Sequence, residues 1–374
     1  MLGLRWPLRA PVAKCAREDS NLWPQPPQGC ALSPELRAPA TACYRPAPWG
    51  EAGLPRTLEG VPLYLREADV EALLSPADAV EAVEACFRRI ARGAVKASPR
   101  AALPLEGGRM AVIAAADLEL GVAGLRTSAV FEGMGARGLV VLFHTERPET
   151  LTLIEAERLG QLCTGAAGAV AARCLARGGA RTLGVIGCGR QAAGHVECIR
   201  AAVPGIERVV VYCRNPDRLA AFCRRFGAEP AEYGREAAEQ DVVVTATSSR
   251  DPVLRGEWLR PGGLVCAAGA TRREARELDN RVLERAAFVC CDSVGQARLE
   301  AGDLAEPVER GVLDWLEVHE LSEVVAGEVE PRQRDEDIVL FKSLGLAAED
   351  LAVGKLVYDR ALERGLGLEL PGAG

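Results

Sequence analysis

The sequence predicts an α/β fold in which a doubly wound parallel sheet is inserted into a second, α+β domain. Two observations predict this fold. Between residues 183 and 291, short β-branched runs alternate with helical segments, which is typical of a parallel sheet covered on both faces. A last helical segment, 347–364, is followed by no predicted strand. We therefore expect this helix to return to the first part of the chain, which makes the parallel sheet an insertion.

The first part of the chain is predicted to combine strands with two helices. Ser75 and Pro76 form an N-cap and a first-turn proline, and apolar residues then recur at helical spacing until Gly93. A later helix is rich in small residues, which allow another backbone or a ligand to approach closely. The predicted elements are strands over 61–65, 110–115 and 138–143 and helices over 76–92 and 159–176.

The inserted part is predicted to contain five strands separated by helices. Its strands are short, apolar and β-branched, as expected for strands that are buried on both faces. The predicted strands cover 183–186, 209–212, 241–245, 264–268 and 287–291, and the helices between the first three cover 191–202 and 217–226.

Four segments divide the chain in this prediction. Residues 1–58 hold ten of the 23 prolines and no periodic apolar pattern, so we expect a disordered or non-native extension. Residues 59–177 begin the first domain, 178–315 form the inserted domain, and 316–374 return to the first domain. The 374 residues are enough for two domains with sizeable cores.

Composition excludes several kinds of partner. The net charge of -7 provides no basic excess for nucleic acid, and no apolar run reaches the roughly 20 residues that span a bilayer. With only three histidines, a multi-histidine metal site is not expected. The 13 cysteines are scattered and form no CxxC pair, so we expect buried free thiols in a reducing, cytoplasmic compartment.

The clearest motif follows the strand at 183–186. The hexapeptide that runs from Gly187 to Ala192 has the form GxGxxA. Gly187 permits a tight turn, Gly189 lets a pyrophosphate approach the backbone, and Ala192 is small enough for helix–strand packing. Arg190 and Gln191 begin a helix whose free N–H groups favour an anion. Strand, glycine turn and helix together predict a Rossmann domain that binds a nicotinamide dinucleotide.

The end of the second strand bears on which dinucleotide is bound. An NAD enzyme usually has an acidic residue there, but this chain has Cys213, followed by Arg214 and Asn215. An arginine suits the 2′-phosphate of NADP, although a solvated surface arginine is the alternative. We therefore expect NADP, with NAD possible. Small residues at the end of the next strand are candidate contacts on the nicotinamide side: Thr245, Ala246, Thr247 and Ser248.

Several blocks of sequence resemble the ornithine cyclodeaminase/mu-crystallin family between about residues 61 and 367. The matching blocks are EAERLGQLCTGAAGAVAARCLAR, TLGVIGCGRQAAGHVECI, DVVVTATSSRDPVL, RREARELDNRVLERA, CDSVGQARLEAGDL and FKSLGLAAEDLAVGKLVYDRA. The resemblance implies a homodimer, a substrate and dimerisation domain interrupted by the Rossmann domain, and NAD(P)-dependent interconversion of amino acids and imines, which are small-molecule substrates.

The resemblance also assigns substrate-site positions, of which three have changed. Arg100 matches an arginine that binds the substrate carboxylate, and Arg126 stands where the family has a substrate-contacting lysine. Cys163 replaces a second carboxylate-binding arginine and precedes Thr164, which we assign to the cofactor. Thr271 replaces the catalytic aspartate or asparagine. We expect Cys163 near a helix N-terminus, but do not favour a catalytic thiolate.

Two functions follow from this pattern. In the first, the protein is an oxidoreductase for a small amino acid or imine, in which Arg100 and Arg126 bind the carboxylate and Thr271 or a water relays the proton. In the second, it is a catalytically weak NADP-binding protein, as mu-crystallin is thought to be. Strict ornithine cyclodeamination is disfavoured, because a threonine cannot act as a carboxylate base.

Overall fold

The computed structural model describes residues 62–131, 135–147 and 149–370. The predicted extension over residues 1–58 lies outside the described residues. The strands are β1 (Leu63–Leu65), β2 (Val95–Ala97), β3 (Ala101–Leu105), β4 (Gly108–Asp117), β5 (Val122–Phe131), β6 (Gly135–His144), β7 (Thr150–Glu155), β8 (Thr182–Ile186), β9 (Arg208–Tyr212), β10 (Glu229–Pro230), β11 (Val242–Thr245), β12 (Leu264–Ala267), β13 (Ala286–Cys291), β14 (Val318–Glu320), β15 (Ile338–Lys342) and β16 (Leu368–Glu369).

The α-helices connect and cover these strands. They are α1 (Glu67–Leu73), α2 (Pro76–Ala91), α3 (Glu157–Leu175), α4 (Arg190–Ala202), α5 (Pro216–Phe226), α6 (Gly234–Ala238), α7 (Asn280–Arg285), α8 (Val294–Glu300), α9 (Gly302–Glu309), α10 (Leu321–Val325) and α11 (Ala347–Arg364). As the sequence predicts, α2 begins with Ser75 accepting a hydrogen bond from the backbone N–H of Asp78, and Pro76 is its first residue.

The first sheet is mixed and has the strand order β16-β1-β7-β6-β5-β4-β2, with β3 paired to β4. Helices α2, α3 and α11 pack together, and α11 also packs on β4, β5 and β6. Phe87, Leu142 and Val357 are fully buried in the resulting core. The last long helix therefore does return to the first part of the chain, as its position after the sheet predicts.

The second sheet is parallel throughout, with the order β10-β9-β8-β11-β12-β15-β13-β14. The chain runs from β8 outward to β10 and then crosses back to β11, so the sheet is doubly wound. This confirms the predicted fold class. The reversal of direction lies beside β8, and the crevice outside the strand ends at such a point is where ligands bind.

Two strands near the end of the chain differ from the prediction. The division at residue 315 gave β15 to the first domain, but β15 lies between β12 and β13 in the parallel sheet. Its residues, IVLFK, are all buried, as expected for a central strand. A second difference is β16, which follows α11 and pairs with β1, although no strand was predicted there. The division into domains itself stays a prediction.

Helix α3 connects the two sheets and packs closely on α4. A side chain at Gly165 would collide with the backbone of Gly194, and one at Gly168 would collide with the ring of His195. This close contact explains why the sequence of α3 is rich in small residues. His195 is buried, its Nδ1 lies 2.8 Å from the carbonyl oxygen of Gln191, and burial lowers the pKa of its imidazole. We infer that it is a neutral core residue.

The cysteines follow the prediction with one exception. Among the described residues eight cysteines are free, and seven of these are buried. Burial raises the pKa of the Cys198 and Cys266 thiols to about 12, so they stay protonated. Cys188 and Cys213, however, form a disulfide. The prediction of free thiols is wrong for this pair, because folding brings residues 25 positions apart to a Cα–Cα distance of 5.8 Å.

Candidate active site

A single cavity of about 1000 Å³ gathers most of the predicted site residues from both sheets. It opens at the carboxyl ends of the parallel strands and extends to β4 and β5 of the first sheet. The predicted site residues that line it are Arg100, Arg126, Cys163, Thr164, Gly187, Gly189, Arg190, Gln191, Arg214, Asn215, Ala246, Thr247, Ser248 and Thr271.

Two residues that we assigned to the cofactor do not line this cavity. Ala192 is fully buried beneath the start of α4, where its small side chain serves packing. Thr245 is also fully buried, and its hydroxyl donates a hydrogen bond of 2.9 Å to Glu277. The direct cofactor contact predicted for each is therefore corrected to a supporting position.

The glycine loop has the geometry that a pyrophosphate requires. Gly187 has a φ of +119°, and a side chain there would collide with the carbonyl oxygen of Ala246. Gly189 is the N-cap of α4, and a Cβ added to it would meet no atom within 4 Å. The N-terminus of α4 therefore faces open space, with its free N–H groups available to an anion. These residues fit a nicotinamide dinucleotide.

The charged side chains beside the loop are not equally available. Arg190 pairs with Glu157 at 2.9 Å, so its guanidinium is already neutralised. Asn215 caps α5 by accepting a hydrogen bond of 2.9 Å from the backbone N–H of Arg218. Arg214 and Arg218 line the cavity, and neither has a carboxylate within 4 Å among the described residues. These two guanidinium groups are thus free to bind an anionic group at the end of β9.

Glu277 organises the strand ends below the cavity, and sequence reasoning missed it. Its carboxylate accepts hydrogen bonds from the backbone N–H of Thr247 at 2.7 Å, the hydroxyl of Thr247 at 2.8 Å and the backbone N–H of Gly269 at 2.6 Å. Burial raises the pKa of this carboxyl. The residue ties the loops after β11 and β12 together, and only its place in the RREARELDN block could have indicated it.

Arg126, on β5 of the first sheet, lines the same cavity as the glycine loop. Its Nη1 lies 2.6 Å from Oδ1 of Asp350, and its Nη2 is 3.4 Å from the carbonyl oxygen of Ala156. Asp350 raises the pKa of the guanidinium, so Arg126 stays charged. A side chain at Gly160 would collide with the guanidinium, which explains the glycine at that position of α3. Asp350 thus holds Arg126 against the cavity wall.

Arg100 lies between the first sheet and the loop that follows β15. Its Nη2 donates hydrogen bonds to the carbonyl oxygens of Leu344 at 2.8 Å and Gly345 at 3.1 Å, and its Nε is 3.3 Å from Glu300. These contacts fix the position of one guanidinium edge at the cavity. The predicted substrate arginines therefore reach the same space from different elements.

Arg109 is a third cation in this cavity, and it was not predicted. It lies on β4, lines the cavity and has no carboxylate within 4 Å in the part of the chain that the structure describes. Burial lowers the pKa of its guanidinium, and the nearby charges of Arg272 and Arg100 lower it further. The alternation of inward and outward residues along β4 is the only sequence signal that could have indicated this position.

Cys163 does not lie at a helix N-terminus as predicted, because α3 begins six residues earlier, at Glu157. Its side chain is buried, and burial together with Asp350 and Glu349 raises the pKa of the thiol well above its usual range. Cys163 is therefore a neutral thiol, whose Sγ lies 3.8 Å from the carbonyl oxygen of Glu349. A catalytic thiolate is excluded by this environment.

Glu349 is a buried carboxyl group that lines the cavity, and sequence reasoning missed it. Its Oε1 has no hydrogen-bond partner among the described residues. Burial raises the pKa of this carboxyl well above its usual range, and the neighbouring Asp292 and Asp350 raise it further. This environment favours the protonated form of the group. Thr271, in the loop after β12, lines the same cavity and contributes a hydroxyl.

The described part of the chain has neither a metal-binding cluster nor a membrane-crossing helix. No group of three or more histidine, cysteine or acidic side chains there could hold a metal ion. Among the same residues, no helix is long and apolar enough to cross a membrane.

Comparison with known proteins places this cavity in context. The profile of the ornithine cyclodeaminase/mu-crystallin family matches residues 61–365. Alanine dehydrogenase from Archaeoglobus fulgidus is 35% identical over 321 residues, which cover 82% of this chain and 98% of that protein.

Two solved structures of similar enzymes also match the fold of this chain. Δ1-pyrroline-2-carboxylate reductase from Thermococcus litoralis, in complex with NADH and L-proline, superposes with a TM-score of 0.79 at 30% identity, over 82% of this chain and all of that one. An archaeal alanine dehydrogenase dimer with bound NAD superposes with a TM-score of 0.78 at 33% identity, over 83% of this chain and 99% of that one.

Proposed function

The chain belongs to the ornithine cyclodeaminase/mu-crystallin family, and from this we propose that it is an NAD(P)-dependent oxidoreductase that interconverts a small imino acid and the corresponding amino acid. One observation carries the proposal. A single cavity joins the glycine loop to three guanidinium groups and a buried carboxyl group. Its relatives named above, an alanine dehydrogenase and a pyrroline-carboxylate reductase, are oxidoreductases acting at C–N bonds.

The arginine side chains of the cavity define how a substrate would be held. We assign the substrate carboxylate to Arg100 and Arg126, because both line the cavity and a guanidinium group that has one carboxylate partner keeps other N–H groups for charge-assisted hydrogen bonds to a second. Arg126 keeps its charge and therefore orients the substrate but exchanges no proton. Gly187, Gly189 and the N-terminus of α4 would hold the dinucleotide, which supplies a hydride when bound.

Imine reduction also requires a proton at the nitrogen, and we assign its delivery to Glu349. This carboxyl lines the cavity and has an oxygen without a hydrogen-bond partner among the described residues, and burial raises its pKa, which favours the form that carries a proton. Thr271 cannot replace it as the acid, but its hydroxyl can orient the nitrogen or a water between the two groups.

The Glu349→Gln variant is expected to lower kcat by about 100-fold with little change in KM, because it removes the proton donor but keeps the shape. Steady-state rates of imine reduction measure this. The folded pKa lies above the unfolded value of about 4.3, so the native state holds a proton that the unfolded chain releases as pH rises. The free energy of unfolding of the parent protein should therefore fall with rising pH. The variant should show a smaller fall, and an unchanged kcat would rule out Glu349 as the donor.

Dinucleotide preference is expected to depend on Arg214. We propose NADP as the preferred cofactor, because Arg214, after β9, and Arg218, on α5, line the cavity and have no carboxylate within 4 Å among the described residues. The complexes named above hold NADH and NAD. Arg214→Ser should reduce the ratio of NADPH to NADH affinity by about tenfold, the loss of one charge-assisted contact. Fluorescence titration of the nicotinamide measures both affinities. Arg224→Ser, on α5 but outside the cavity, should leave the ratio unchanged, and tight binding of NADH alone by the parent protein would contradict the assignment.

We further propose a cytoplasmic homodimer. The archaeal alanine dehydrogenase is a dimer, and the free thiols of the described residues suit a reducing compartment. Light scattering of the purified protein measures the mass of the assembly, and a monomer would contradict the first part of this proposal.

The proposed reaction is tested by following NADPH and NADH oxidation with a panel of substrates. The panel contains cyclic imino acids, and mono- and dicarboxylic 2-oxo acids with ammonia. We expect turnover with at least one class, with the corresponding amino acid as product. Tight dinucleotide binding without any turnover would instead support the second function, a mu-crystallin-like binding protein, for which the replaced residues Cys163 and Thr271 are the evidence.

A further inference from the structure

Cys188 and Cys213 lie on the two segments that form the adenosine end of the cavity. Cys188 stands between the two glycines of the loop after β8, and Cys213 is the first residue after β9. Both are half-buried and line the cavity. Their Cα atoms are 5.8 Å apart, which is within the usual span of a disulfide. The bridge therefore closes without moving either segment away from its place in the parallel sheet.

This pair differs from the remaining cysteines that the structure describes. Those are free, and all but Cys174 are buried. Burial raises the pKa of Cys86, Cys163 and Cys290, so their thiolates, which are the reactive forms, are suppressed. Cys174 lies on α3 and does not line the cavity. Only the 188–213 pair thus combines access from a cavity with a partner at bonding distance, within the described residues.

We propose that Cys188 and Cys213 are a reversible oxidation site that controls dinucleotide binding: a small-molecule disulfide closes the bridge and weakens binding, and a dithiol opens it and restores binding. The inference rests on the proposed function only in taking the cavity as a dinucleotide site.

The chemistry is thiol–disulfide exchange. One cysteine thiolate attacks the small disulfide, forms a mixed disulfide and releases one small thiol. The second cysteine then attacks the protein sulfur of that mixed disulfide and releases the other small thiol. The two protons lost by Cys188 and Cys213 go to the two released thiols. The protein pair is oxidised by two electrons and the small disulfide is reduced by two.

The position of the bridge explains its effect. In Rossmann domains the residue at the end of the second strand contacts the ribose hydroxyls of the dinucleotide, and Cys213 follows that strand directly. As free thiols, both residues can donate a hydrogen bond to a sugar hydroxyl and accept one from it. A disulfide has no S–H group and so cannot donate one. The bridge also ties the residue between Gly187 and Gly189 to the residue that follows β9, which restricts the movement of the loop.

The test compares two forms of the full chain, one oxidised with glutathione disulfide and one reduced with dithiothreitol. Peptide mapping by mass spectrometry should find Cys188 joined to Cys213 in the oxidised form only. The dissociation constants of NADPH and NADH, from nicotinamide fluorescence, should rise by about tenfold or more on oxidation, as expected for the loss of one or two hydrogen bonds. The change should reverse with dithiothreitol.

Matched variants identify the responsible pair. The double variant Cys188→Ser/Cys213→Ser, which can form neither the bridge nor a mixed disulfide at this site, should give equal dissociation constants in the two redox conditions. Cys174→Ser, and a variant with Cys15, Cys30 and Cys43 all changed to Ser, should keep the difference. If the oxidised protein, with its bridge shown by peptide mapping, binds dinucleotide as tightly as the reduced protein, the redox inference is overturned and the proposed function is not. Failure of the reduced protein to bind either dinucleotide would overturn the proposed function as well.

Discussion

Replacing Gly189 with alanine is expected to weaken dinucleotide binding by about 100-fold, about 2.7 kcal/mol, without changing the stability of the fold. Gly189 has a φ of -91°, which alanine adopts freely, and the added Cβ meets no protein atom within 4 Å. The methyl group therefore costs the folded chain nothing. It occupies the open space through which a pyrophosphate must approach the loop and the N-terminus of α4.

The matched control is Gly187→Ala, two residues earlier. Its positive φ and its collision with Ala246 strain the backbone whether or not a ligand is present. We expect this variant to lose about 1–3 kcal/mol of unfolding free energy. Fluorescence titration and thermal unfolding of both variants separate the two effects. If Gly189→Ala binds dinucleotide as tightly as the parent protein, the loop does not hold the pyrophosphate.

The Arg126→Met variant is expected to lower kcat/KM by about 1000-fold, because two charge-assisted hydrogen bonds of about 1.5–3 kcal/mol each are lost. It also leaves Asp350 without its cation. Loss of a fully buried partner costs about 3–5 kcal/mol. Since Arg126 is partly exposed to the cavity, a smaller destabilisation of about 2 kcal/mol is expected.

A second substitution separates the two consequences. In Arg126→Met/Asp350→Asn no charge is left unpaired, so most of the unfolding free energy should return while kcat/KM stays low. Arg126→Lys, which restores the lysine of the family pattern, should keep much more of the activity than Arg126→Met. Steady-state kinetics and denaturant unfolding measure these differences. An Arg126→Met enzyme with normal kcat/KM would remove this residue from the substrate site.

The parts of the fold that follow from local patterns could be predicted from the sequence. The strand–turn–helix pattern predicts the first glycine of the loop from the tight turn alone. Its close approach to Ala246, which follows from the pairing of β8 with β11, could not be predicted. The place of β15 could not be predicted, because a buried run of IVLFK does not reveal which sheet it joins. The same holds for β16, whose two residues form a strand only by pairing with β1.

Site residues could be predicted from the sequence when their role depends on the residue type. Residues whose role depends on packing could not. Arg100 and Arg126 could be found from motifs. Glu349 could not, because its raised pKa results from burial and from Asp292, which is distant in sequence. The Cys188–Cys213 pair likewise requires the return of β9 beside β8, and the sequence between two residues 25 positions apart gives no sign of it.

The central claim, hydride transfer to the carbon of an imino acid in this cavity, is tested most directly with reduced dinucleotide carrying deuterium at the transferable C4 position. The amino acid formed from an imino acid of the panel is analysed by mass spectrometry. We predict that one deuterium is found on its α carbon, and that Glu349→Gln forms the same labelled product about 100-fold more slowly. An amino acid formed without deuterium at that carbon would contradict the claim.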